Sequence, residues 1–99
     1  MAKVYEFLAD GFEEIEALAP VDVLRRGGVE TVMVSIMGRR EVVSAHGVTV
    51  VADLMIEEAG DFSDADMLLL PGGMPGSTNL RDHQGVIAAL QRQAPAGKS

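Results

Sequence analysis

The sequence contains no cysteine. Its own residues can therefore build neither a disulfide framework nor a thiolate metal site, and cysteine usage gives no reading of the redox compartment. Basic residues are also few. Lys and Arg number 8 against 15 Asp and Glu, for a net charge of -7, and the only paired basic residues are Arg25-Arg26 and Arg39-Arg40. A nucleic-acid backbone or an anionic membrane rewards clustered cations, so neither is expected as the main partner. No stretch reaches the roughly 18 consecutive apolar residues of a membrane span. The opening MAKVYEFLADG lacks the charged, apolar and small-residue regions of a signal peptide, so the expected location is the cytoplasm. No repeat, low-complexity segment or interdomain linker interrupts the chain.

What is present is a globular pattern, with 99 residues at 47% apolar content, enough for one small domain around one core. Val4 to Ala9 is rich in β-branched and aromatic residues and ends at Asp10-Gly11, which predicts a strand and a turn. Helical spacing runs from Glu13 to Arg26, and Gly27-Gly28 supplies the stop. Thr31 to Ile36 reads as a second, fully buried strand, completing a βαβ unit. Glu41 to Ser44 and Val48 to Ala52 flank Ala45-His46-Gly47 and read as a hairpin or an excursion at the sheet edge. Residues 53 to 66 carry six acidic residues and no basic one, and are expected to be a solvated short helix and loop without function. Met67 to Leu70 is an apolar strand running into Pro71-Gly72-Gly73. Gln84 to Gln93 is helical, with Asp82 as a plausible N-cap.

This alternation predicts an open, mostly parallel α/β sheet with helices on its faces. Such sheets have five or more strands as a rule, so residues 1–99 are expected to be the amino-terminal part of a larger domain.

Several familiar motifs fail on inspection. Gly97-Lys98-Ser99 closes a phosphate-loop pattern, but Arg92 stands where its first glycine is required. The glycines at 72, 73 and 76 do not form a dinucleotide fingerprint. A phosphoacceptor strand would need an aspartate where Pro71 stands. His46 and His83 have no ligand partner at i+3 or i+4, so no metal site is expected.

Two features carry chemistry. Gly72 and Gly73 are explained either as a tight turn or as a place where backbone N–H groups approach a ligand or oxyanion at the carboxyl end of a strand. In the first helix, Ala17, Leu18, Val21 and Leu24 form the face expected to pack on the sheet. A second stripe of Phe12, Ala19, Pro20, Val23 and Gly27 surrounds Glu16 and needs a cover of its own. Glu13 and Glu14 are accounted for by the helix dipole. Glu16 is either a solvated helix-edge residue or a desolvated proton donor and acceptor, and Pro20 cannot donate to its carbonyl.

Taken together, ADGFEEIEALAPVDVLRRGG, the VTVVAD strand after His46-Gly47 and DADMLLLPGGMPGSTNL resemble the DJ-1/PfpI superfamily, in particular its DJ-1-like branch, along essentially the whole chain. The resemblance implies a flavodoxin-like α/β sandwich and a homodimer through the first helix. It also implies a reactive cysteine on a strand-to-helix turn, bonded to a protonated glutamate that corresponds to Glu16. Gly72 and Gly73 would help form the oxyanion site, and Asn79 and His46 would lie near the pocket. No cofactor or metal is implied. The family's cysteine would follow a G-K-x segment such as Gly97-Lys98-Ser99, so the nucleophile is expected in a missing carboxy-terminal half. The activity implied for the complete protein is that of a cysteine-dependent glyoxalase or deglycase acting on small carbonyls. The alternatives are a non-catalytic dimeric stress-response or chaperone module, or a peptidase.

Overall fold

The computed structural model describes residues 2–71 and 83–93. In chain order they form β1 (Lys3–Leu8), α1 (Glu14–Arg26), β2 (Glu30–Ser35), β3 (Glu41–Val43), β4 (Thr49–Val51) and β5 (Leu54–Met55). A 3-10 turn (Ile56–Glu58), β6 (Met67–Leu69) and α2 (Gln84–Gln93) follow. The main sheet has the order β5-β2-β1-β6, and its strand pairs are all parallel.

β1 is the centre of this sheet and is hydrogen-bonded on both sides, with Glu6 in register with Met33 on β2 and Leu69 on β6. Because side chains alternate across a strand, successive β1 residues feed two different cores. Tyr5 and Phe7 pack with Val34, Ile36, Phe62, Val86 and Ala89, which includes the inner face of α2. Leu8 packs with Met33, Phe12, Ala17 and Val21, which is the inner face of α1. The result is a three-layer α/β sandwich, as the sequence pattern predicts.

Helix α1 begins where the Glu13 carboxylate accepts the Ile15 N–H at 3.2 Å and ends at Gly27. Gly28 takes the left-handed conformation, φ +83°, that turns the chain into β2. The helix continues through Pro20, which has no N–H to bond the Glu16 carbonyl. Ala17 and Val21 are buried as expected. Phe12 corrects the sequence reading of the second stripe. It lies before the helix and is fully buried in the core between α1 and the sheet, because the β1–α1 turn folds it inward. The remaining members do face outward, with Val23 66% exposed and Ile15 beside them 71% exposed.

Of the two readings of residues 41–52, the structure shows the hairpin, set apart from the edge of the main sheet. β3 and β4 pair antiparallel as a separate two-stranded sheet, and the sheet edge beyond β2 is β5. The turn after β1 holds the hairpin in place. Gly11 N–H donates to the Val43 carbonyl at 2.8 Å, Ala45 N–H to the Phe12 carbonyl at 2.8 Å, and Val43 N–H to Asp10 Oδ1 at 3.0 Å.

The acidic segment 53–66 is more structured than its composition suggests. Leu54–Met55 forms β5, and four of its carboxylates tie distant segments together. Asp53 Oδ2 accepts from Met33 N–H and from the Arg25 guanidinium, both at 2.8 Å. Glu58 pairs with Arg40 and accepts the Met55 N–H. Asp64 accepts from Lys3 Nζ and the Tyr5 hydroxyl, each at 2.9 Å, and Asp66 accepts the Lys3 N–H at 2.7 Å. These acids are spaced by what they must reach on other strands, which a linear reading does not reveal. Phe62 between them is held at φ +61°, a strained conformation for an aromatic residue. Its ring meets Tyr5 and Phe7 edge-on, with centroids at 4.8 and 5.1 Å, and that burial offsets the strain.

Among the described residues, no helix is long and apolar enough to cross a membrane. Phe62→Ala in the full-length protein should lower stability by about 3 kcal/mol, read as a drop in denaturation midpoint at unchanged slope. A loss below about 1 kcal/mol would show that the ring cluster does not anchor this segment.

Candidate active site

In parallel α/β sheets, ligands bind beyond the carboxyl ends of the strands. Here that edge gathers the end of β6, the start of α1 and the hairpin tip. A hollow of about 260 Å³ opens there, lined by Glu6, Glu16, Pro20, Leu69, Leu70 and Pro71. It joins Glu16 to the end of the strand that leads into Gly72-Gly73. A larger hollow of about 580 Å³ lies at the start of β2 beside Arg25 and Asp53, whose side chains are committed to bonds across the sheet.

The sequence-predicted residues separate as follows. Glu16 lines the hollow and is exposed on the outer side of α1, rather than desolvated by the second stripe. Phe12, which was to shield it, is folded into the core, and Val23 and Ala19 stand uncovered. Gly72, Gly73 and Asn79 lie outside the described residues. His46 sits on the hairpin tip, and its Nδ1 is 2.9 Å from Glu14 Oε2. It is not among the residues lining the hollow with Glu16. The Ser44 hydroxyl first, then the Glu14 backbone and His46, hold the Glu14 carboxyl below the usual carboxylate range. Glu13, Glu14 and His46 place one ligand atom each within 4.8 Å of one another, a set within reach of a metal ion. The helix cap and the Glu14–His46 pair account for the same arrangement. His83 is a satisfied histidine, since its Nδ1 accepts the Gly85 N–H at 3.0 Å at the start of α2.

Glu6 is the residue that sequence reasoning missed. It sits in the middle of β1, is 1% exposed, and is flanked in register by Met33 and Leu69. Its Oε1 has no hydrogen-bond partner among the described residues. Burial pushes its carboxyl from 4.5 up to about 8, so at neutral pH it is mostly protonated. The signal was a single glutamate inside the otherwise apolar run VYEFLA.

The family model described as "DJ-1/PfpI family" matches residues 2–99, and the chain belongs to that family. It is 35% identical over 91 residues to Protein DJ-1 homolog B of Arabidopsis thaliana, covering 92% of this chain and 20% of that protein. It is 36% identical over 86 residues to the Parkinson disease protein 7 homolog of Danio rerio, covering 87% and 46% respectively. Among solved structures, oxidised DJ-1 of Toxoplasma gondii superposes with a TM-score of 0.93 at 37% identity, over 99% of this chain and 53% of that one. A cysteine-to-alanine mutant of a DJ-1 superfamily protein from Salmonella typhimurium gives 0.91 at 41% identity, over 99% and 52%. The chain therefore spans about half the length of these solved relatives, and less than half of the two curated ones. These neighbours confirm the flavodoxin-like α/β sandwich.

The Glu6 environment has a thermodynamic signature. The folded state holds a proton that the unfolded chain has released between pH 4.5 and about 8, so stability falls as pH rises through that window and levels off above it. Glu6→Gln removes the titration. In the full-length protein, the variant should lose a wild-type decline on the order of 4 kcal/mol across those pH values. Denaturant melts at pH 5 and pH 8 measure it, and parallel slopes for the two proteins would show that Glu6 does not keep its proton.

Proposed function

We propose that this chain is the amino-terminal part of a DJ-1/PfpI domain whose complete form is a cysteine-dependent glyoxalase or deglycase, acting in the cytoplasm on small reactive carbonyls such as methylglyoxal. The observation that carries the reading is the shared hollow. Glu16 and the end of β6, where Leu-Pro-Gly-Gly begins, line one pocket at the carboxyl edge of the sheet. The relatives support cysteine chemistry, since one was solved with a cysteine replaced by alanine. This chain has no cysteine, so the thiolate belongs to the remainder of the longer protein.

The step assigned to this chain is proton transfer. Attack of a thiolate on the aldehyde carbon of methylglyoxal opens the C=O bond and places negative charge on oxygen. The Glu16 carboxyl gives its proton to that oxygen, forming a hemithioacetal, and the resulting carboxylate then accepts the carbon-bound proton. Re-protonation at the neighbouring carbon and hydrolysis of the thioester by one water release lactate and the thiol. Gly72 and Gly73 N–H groups are the proposed oxyanion donors, with Asn79 beside them, while His46, paired with Glu14, is given no part in the step.

Glu16→Gln in the full-length protein should lower lactate formation from methylglyoxal at least about 100-fold with unchanged folding. Equal turnover would remove Glu16 from the chemistry. No turnover in the wild type would favour a non-catalytic stress-response or chaperone role.

The outer face of α1 supports a homodimer built on Ala19, Pro20, Val23 and Gly27, with Ile15 added and Phe12 removed. Val23 and Ile15 are large apolar residues left largely uncovered, and burying such a stripe against a symmetry-related copy is favourable. Val23→Asp should convert a dimer to a monomer in sedimentation. A variant that stays dimeric at micromolar concentration would place the interface elsewhere.

A further inference from the structure

Glu6 has no role in the chemistry assigned above, yet a glutamate in the middle of the central strand is costly to keep. Three observations define what it can do. It is nine-tenths buried and more, with Oε1 unpartnered among the described residues. Its neighbours across the sheet, Met33 from β2 and Leu69 from β6, offer no charge and no acceptor stronger than a thioether sulfur. The hollow it lines contains one other ionisable side chain, Glu16 from α1, the remaining lining being Pro20, Leu69, Leu70 and Pro71.

A buried neutral carboxyl is an O–H donor in need of an acceptor, and a buried donor without one is unfavourable. Glu16 is in need of the opposite. It is an exposed side chain on a helix surface, whereas a proton-transfer group must be held within hydrogen-bond reach of the reacting atom. The two requirements are complementary, and both groups line one hollow.

We propose that Glu6 is the positioning residue of this site: its carboxyl O–H, held at the hollow by β1 and not bonded to Glu16 in this structure, donates a hydrogen bond to the Glu16 carboxyl when that side chain turns into the hollow, and so holds it at the end of β6. The inference rests on the assignment of Glu16 as the proton-transfer group. Burial supports it by keeping Glu6 protonated up to about pH 8, so the donor persists at neutral pH. Above that, Glu6 ionises, loses the O–H it would donate, and the arrangement is lost.

The test uses the full-length protein with carboxyl-labelled glutamate, following the Glu6 side-chain carbon by NMR from pH 4 to 10. Glu16→Gln should move the Glu6 titration by roughly half a pH unit or more, because coupled groups do not titrate independently. In turnover assays, Glu6→Gln, whose amide can still donate, should retain kcat within about 5-fold. Glu6→Leu, which cannot donate, should lose at least about 20-fold in kcat with little change in KM. A Glu6 titration indifferent to residue 16, or equal kcat for the Gln and Leu variants where turnover is measurable, would overturn the pairing. If no protein turns over methylglyoxal but the titrations remain coupled, the pairing stands and the carbonyl reading falls.

Discussion

The structure depends on one strand being buried on both faces and paired on both edges. β1 meets β2 along six residues and β6 along three, and its side chains supply both cores in turn. Tyr5 and Phe7 receive α2 and the Phe62 loop on one face, while Leu8 receives α1 on the other. Everything that defines the site is attached to this strand. The turn at its end holds the hairpin, the helix that follows presents Glu16, and the strand beside it leads towards the glycines. A side chain on β1 therefore has almost no freedom, which makes Glu6 a rigid reference point for whatever stands above it.

Most of the architecture was legible in the chain because it is local. Gly11 and Gly27-Gly28 end a strand and a helix for backbone reasons that act within a few residues. The period change between Val4–Ala9 and Glu13–Arg26 marks the passage from strand to helix. The motif EExE followed by DxxRRGG and LPGG pointed to the family without any geometry. Long-range partnerships were not legible. Asp53, Glu58, Asp64 and Asp66 look like a solvated acidic run until the strands bring Arg25, Arg40 and Lys3 to them. Phe12 looks like one member of an exposed stripe, because angular spacing was extended past the start of α1 into a turn where it does not apply.

The site was half legible for a related reason. Glu16 could be singled out by its neighbours along a helix, whose periodicity places side chains on a cylinder. Glu6 could not be singled out by helical spacing, and its alternation with Tyr5 and Phe7 was hidden because a fully buried parallel strand is apolar on both faces. A polar residue in such a strand breaks no periodic rule that a sequence displays. Only the sheet register shows that Met33 and Leu69 flank it and that the α1 side of the sheet receives it.

The position of β6 at one end of the order β5-β2-β1-β6 has a further consequence. Among the described residues no strand pairs with its outer edge. Such an edge templates whatever extended segment reaches it first. An unpaired β6 edge of this kind is a site where a misplaced extended segment can add to the sheet, so whatever covers it also protects the fold against association.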